Sequence, residues 1–172
     1  MTIRRSLPAL FLLLSCAAPL LADMAVPPKL QAAIFQKIFT YDHALAGNTR
    51  LLVVFPDKTP GQRDEIVRAF QDNGIKAAVV KLSALKEALA GANAANVVYL
   101  LPGSASDEVN QLCISRKALP ISGDAVQAEA GTVAVAVGAL EGKPKIFVHL
   151  GLLKASQHEL APDLLKLAKV IA

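Results

Sequence analysis

Two short runs, Leu51-Leu52-Val53-Val54-Phe55 and Val97-Val98-Tyr99-Leu100-Leu101, lack any polar alternation. A strand with one wet face alternates polar and apolar residues, so runs of this kind belong to strands covered on both faces, as in the parallel sheets of α/β proteins. Pro56 ends the first run, and a helix signal follows: Thr59 with Gln62 makes a capping box, Pro60 suits the first helical position, and Ile66, Val67 and Phe70 share a face. Gly74 fits the left-handed residue after that helix. Ala77 to Leu82 reads as a strand, with Ser83 capping a helix that ends by Gly91. After the second run, Pro102-Gly103 turns the chain, and Ser104 with Asp107 starts a helix to about Ser115. Three successive strand and helix pairs predict a parallel sheet with right-handed crossovers.

On either side of this block the pattern changes. Lys29 to Tyr41 predicts a helix with Leu30, Ala33, Ile34, Ile38 and Tyr41 on one face, widened by Phe35 and Phe39. That face packs across the sheet, or in part serves a protein partner. Leu119 to Ser122 reads as a fourth strand. Thr132 to Val137 and Lys145 to Leu150 are strands too close for a helical crossover; a five-residue turn, Gly138 to Gly142, joins them into an antiparallel hairpin. A last helix begins near Pro162, with Leu164, Leu165, Leu167, Ala168 and Ile171 on one side and Lys166 and Lys169 on the other. The expected fold is α/β, a three-layer Rossmann-like mixed sheet with parallel strands first and a C-terminal antiparallel hairpin plus closing helix.

Arg4 and Arg5, the apolar run Leu7 to Ser15 and the small residues up to Ala22 have the pattern of a secretory signal peptide, residues 1–22. Residues 23–172 then form one exported, soluble domain in the periplasm with no transmembrane span of its own. The alternative is a lipoprotein, in which Cys16 after Leu13-Leu14-Ser15 carries the lipid. Two of the 18 basic residues lie in the leader, so the rest exceed the 14 acidic ones by only about 2. No basic run concentrates that charge, which excludes nucleic acid as a partner. Cleavage after Ala22 leaves Cys113 as the one cysteine, without an intramolecular partner; it follows Val109 and Leu112 at helical spacing and reads as a core residue, with a reactive thiol as the alternative.

Ligands of open parallel sheets sit beyond the carboxyl ends of the strands. There the sequence offers Lys58, Arg63, Gly103, Ser104 and Ser106 as candidates for an anion or metabolite site, although Ser104 and Asp107 already explain themselves as a capping box. No glycine-rich nucleotide motif or P-loop lysine is present, and Asp57 alone does not make the acidic cluster of a phosphate receiver. His43, His149 and His158 are dispersed and no serine sits in a nucleophile elbow, so neither metal, cofactor nor catalytic residue is assigned. His149 reads as a packed histidine or as a pH-sensitive contact. The turn with Leu140, Glu141, Lys143 and Lys145, and the connection with Leu152 and His158, are the candidate partner surfaces: an apolar anchor with a polar rim.

The order Leu119-Pro-Ile-Ser-Gly-Asp, Glu129-Ala-Gly-Thr-Val, Gly142-Lys-Pro-Lys-Ile-Phe-Val-His-Leu and Asp163-Leu-Leu-Lys-Leu-Ala resembles the C-terminal half of the YfiR-like family of small periplasmic proteins. The resemblance implies a non-enzymatic regulator that restrains an inner-membrane signalling protein, a diguanylate cyclase, and so limits cyclic di-GMP and biofilm formation. A homo-oligomer stays open as a further partnership. The chain departs from the family at Tyr41-Asp42-His43-Ala44, at Asn93 to Asn96, where a cysteine is usual, and at Ala161-Pro162-Asp163. Disulfide-based redox control therefore does not carry over.

Overall fold

A computed structural model describes residues 25–45, 47–57, 63–91 and 94–172. The expected leader with Cys16, the Thr59 capping box and Lys58 lie outside the described residues. Among the described residues, seven α-helices and seven strands follow in chain order: α1 (Pro28–Thr40), β1 (Arg50–Phe55), α2 (Arg63–Asp72), β2 (Lys76–Lys81), α3 (Leu85–Ala88), β3 (Val97–Leu100), α4 (Asp107–Ser115), β4 (Leu119–Ser122), α5 (Ala125–Glu129), β5 (Val135–Leu140), β6 (Lys143–His149), α6 (Leu150–Ala155), α7 (Pro162–Leu167) and β7 (Lys169–Ile171). The strands form one sheet in the order β2-β1-β3-β4-β5-β6-β7. All neighbours are parallel except β5 and β6, which pair antiparallel. The α/β expectation holds, with a parallel block first and the antiparallel hairpin after it.

The unbroken apolar runs are explained by two cores. Leu51, Val53 and Phe55 of β1 face one layer with Phe35, Ile38, Phe39, Ile66 and Phe70 of α1 and α2. Leu52 and Val54 face the other, with Leu85, Leu89, Val109 and Cys113. Side chains alternate across a strand, so both parities of β1 must be apolar when helices cover both faces.

Several expected details are corrected. The buried face of α1 is Gln31, Ala32, Phe35, Ile38 and Phe39, whereas Leu30 and Tyr41 of the expected stripe are exposed. The large aromatic rings, rather than the longest aliphatic stripe, decided its rotation. Ser106, not Ser104, caps α4 by accepting the Val109 amide at 3.2 Å. Ser83 sits inside a 3-10 turn, Leu82–Ala84, and donates to Asp57 at 2.7 Å. The hairpin turn is two residues, Glu141 and Gly142, both at positive φ between the paired Leu140 and Lys143. That is a tight turn whose twist matches the strands. It lengthens β5 and β6 at the expense of the expected five-residue loop.

Helix α5 lies in a stretch given no element of its own, and α6 covers the start of the expected connection with Leu152, because five or six residues are too few to show helical periodicity. The closing helix stops at Leu167, and Lys169-Val170-Ile171 joins β6 as an edge strand. A helix this short has little stability of its own, and pairing the open edge of β6 outweighs its continuation.

Cys113 is fully buried in the second core, and burial pushes its thiol up to about 12. The folded protein should therefore resist a thiol-reactive dye at pH 8.5 and react once urea unfolds it. The unfolded thiol ionises near its ordinary 9.0 while the folded one stays neutral, so this group's contribution to stability is complete below pH 9.0 and is lost as pH rises toward 12. A falling urea midpoint over that window is the expected readout.

Candidate functional site

The strand order reverses between β1 and β3, the usual ligand crevice of such sheets. Here it is filled from within. Ser104 is buried and donates to the Val54 carbonyl at 3.3 Å, and Gly103 lies against Pro56. Ser106 is spent on its cap, and Arg63 holds Asp64 at 3.2 Å with its guanidinium 4.8 Å over the Phe55 ring. These residues of the expected anion site are engaged in holding the loops.

The open space lies one strand further on. A cleft of about 480 Å³ is bounded by the carboxyl ends of β3 and β4, the start of α5 and the end of β5. Tyr99, Leu101, Pro102, Gly138, Leu140 and Phe147 give it an apolar wall; Gln31, Ser122, Asp124 and Glu129 bring polar groups. Tyr99 donates its hydroxyl to Gln31 Oε1 at 2.6 Å, and Gln31 Nε2 donates to the Val26 carbonyl at 2.7 Å. Burial pushes the Tyr99 phenol well above its ordinary range, the Asp124 charge adds to this, and a backbone hydrogen bond from Gly123 only partly offsets it. The phenol is thus a fixed neutral donor to Gln31.

Glycine at two positions lets the walls of the cleft pack closely. A Cβ at Gly123 would run into the Gln31 side chain and the Tyr99 hydroxyl, and one at Gly138 would come within 2.6 Å of the Ala125 Cβ. Asp124 accepts the Val126 amide at 3.0 Å, Ser122 donates to the Leu100 carbonyl at 3.1 Å, and Glu129 pairs with Lys169 at 2.6 Å. Carboxylates are the only charged side chains lining the cleft among the described residues. Lys169 offsets the Glu129 charge, which leaves Asp124 as the lining carboxylate without an ion-pair partner among the described residues; the lining favours a neutral or amine-bearing molecule over an anion.

The expected partner surface divides. Leu140 is 39% exposed, Glu141 and Lys143 are exposed beside it, and Lys145 is half-buried opposite Gly138. Leu152 instead packs against the first core, and its amide donates to His149 Nδ1 at 3.3 Å, which caps α6. His158 is corrected from a surface residue to a buried one: Nδ1 lies 2.7 Å from Asp42 Oδ2 and Nε2 3.3 Å from the Lys117 carbonyl. It ties the segment before α7 to the end of α1. Sequence reading missed Gln31, Tyr99, Asp124 and Glu129 as cleft residues; the signal was the carboxyl end of the fourth strand, Ser122-Gly123-Asp124. Among the described residues no three metal-binding side chains converge, and no helix is long and apolar enough to cross a membrane.

No family model and no curated protein matches the chain. Solved structures do. The ABC domain in complex with L-Trp from Streptococcus pneumonia superposes with a TM-score of 0.62 at 10% identity, over 85% of this chain and 60% of that one. A conserved domain protein from Vibrio cholerae O1 biovar eltor gives 0.62 at 11% identity, over 84% and 60%. At such identities the likeness is one of fold, and the chain spans about 60% of the length of each.

Replacing His158 with Ala should cost roughly 3 kcal/mol of unfolding free energy, because it strands the buried Asp42 carboxyl. The double variant with Asp42→Ala should lose less than the sum of the two single losses in a urea-denaturation cycle.

Proposed function

We propose that the chain is a small-ligand binding module whose cleft takes a neutral or amine-bearing molecule with an apolar body. One observation carries this: an apolar-walled cleft at the carboxyl ends of β3 and β4 whose charged lining, among the described residues, is Asp124 and Glu129. The complex of the Streptococcus pneumonia domain with L-Trp, a net-neutral amino acid with an apolar ring system, supports a small ligand of that kind. We read a binder and not an enzyme, since Gln31, Tyr99 and Ser122 are each spent in internal hydrogen bonds.

A regulator of a membrane signalling protein is the second reading, carried by the resemblance to the YfiR-like family and by the exposed hairpin tip. Leu140 belongs to both sites, as a wall of the cleft and as the apolar residue beside Glu141 and Lys143. Ligand and partner would meet there. An exported, periplasmic location goes with this reading.

The test is thermal denaturation with L-tryptophan, other amino acids and neutral aromatics, against inorganic phosphate. A ligand at a hundred times its Kd should stabilise by about 2.7 kcal/mol, and phosphate should do nothing. Val126→Arg, which brings a cation to the cleft from an exposed lining position, should abolish the shift with amine-bearing ligands. Stabilisation by phosphate alone, or by no amine or neutral compound, overturns the ligand reading. Periplasmic crosslinking from Glu141 that traps no membrane protein overturns the regulator.

A further inference from the structure

The sheet ends in an edge that is poorly covered. Among the described residues β2 pairs with β1 on one side only, and none of its six residues is buried; Ala78 and Val79 are exposed. The cause is local: the crossover after β2 supplies a 3-10 turn and a one-turn helix, α3, in place of a full helix. A recess of about 700 Å³ opens at the amino ends of β1 and β2, lined by Arg50 and Leu52 of β1, Lys76 and Ala78 of β2, and Ala88 and Ala95 from the α3 side. An unpaired strand edge is the template on which extended segments add as a further strand.

Charge decides what kind of segment fits. β2 reads Lys76-Ala-Ala-Val-Val-Lys81, and the charged residues lining the recess are Arg50 and Lys76. Lysine that guards an edge against pairing is placed along it; here the four central residues carry no charge and the cations stand at the two ends. A second copy pairing symmetrically about the strand centre would set Lys76 directly against Lys81 twice, which is repulsive. We propose that β2 is a docking edge for an extended segment of another protein with apolar central residues and carboxylates at both ends, about 20 Å of strand. Alternate side chains of the docked strand fall to the two sides of the sheet, and the small alanines around the recess leave them room.

The experiment titrates the protein with two capped hexapeptides of alternating Val and Thr, one ending in Glu at both termini and one in Lys. Backbone amide signals and hydrogen exchange of β2 are followed by NMR. The Glu-ended peptide should shift and protect the β2 amides and bind about tenfold tighter than the Lys-ended one. The double variant Lys76→Glu with Lys81→Glu, both side chains being exposed, should invert that preference while leaving the circular dichroism unchanged. No change at β2 with either peptide, equal affinity for both, or crosslinks joining β2 of two copies would each overturn the proposal.

Discussion

The ring of Tyr99 packs edge-on against Phe35 and Phe70, with centroids 6.0 and 5.5 Å away, while its hydroxyl reaches Gln31 at the floor of the cleft. Because α1 carries both Phe35 and Gln31, this one side chain sets the depth at which α1 lies on the sheet and the position of the polar group beside the cleft. Aromatic pairs of this geometry add to the area they bury, and a buried hydroxyl must find a partner. The absence of a side chain at Gly123 follows from the same contact. Core packing and site shape are therefore one constraint here.

The hairpin has a comparable double role. Glu141 at φ 52 and Gly142 at φ 73 close β5 on β6 in the shortest possible turn, which extends β5 to Leu140 and brings that residue to the cleft. β6 then runs against the parallel block and offers its far edge to β7. At that end the sheet is held by Lys169, which pairs with Glu129 and lies 5.4 Å from the Phe147 ring. At the other end no described residue covers β2 in a comparable way.

Much of the fold was legible because it is written in local pattern. The unbroken apolar runs of β1 and β3 required cover on both faces, and Gly74 and Gly103, both at positive φ, marked the turns after α2 and β3. Cys113 at helical spacing from Val109 pointed to the core. What misled was equally local: Ser104 and Ser106 are both plausible caps two residues apart, and only the Val54 carbonyl shows which of them is drawn inward. His158 looked like a polar residue in a connection, since Asp42, its partner, lies 116 residues earlier.

The sequence by itself determined the class of the sheet, its parallel block and the antiparallel return, because hydrophobic period and turn chemistry are properties of neighbouring residues. It could not place the cleft, whose walls come from α1, β3, β4, α5 and β5, nor choose the rotation of α1, which rests on Tyr99 and Phe70. It could not show that Lys169 to Ile171 would leave a helix for a strand. Those outcomes depend on pairings between distant segments, whose free energy exists only once the sheet has assembled.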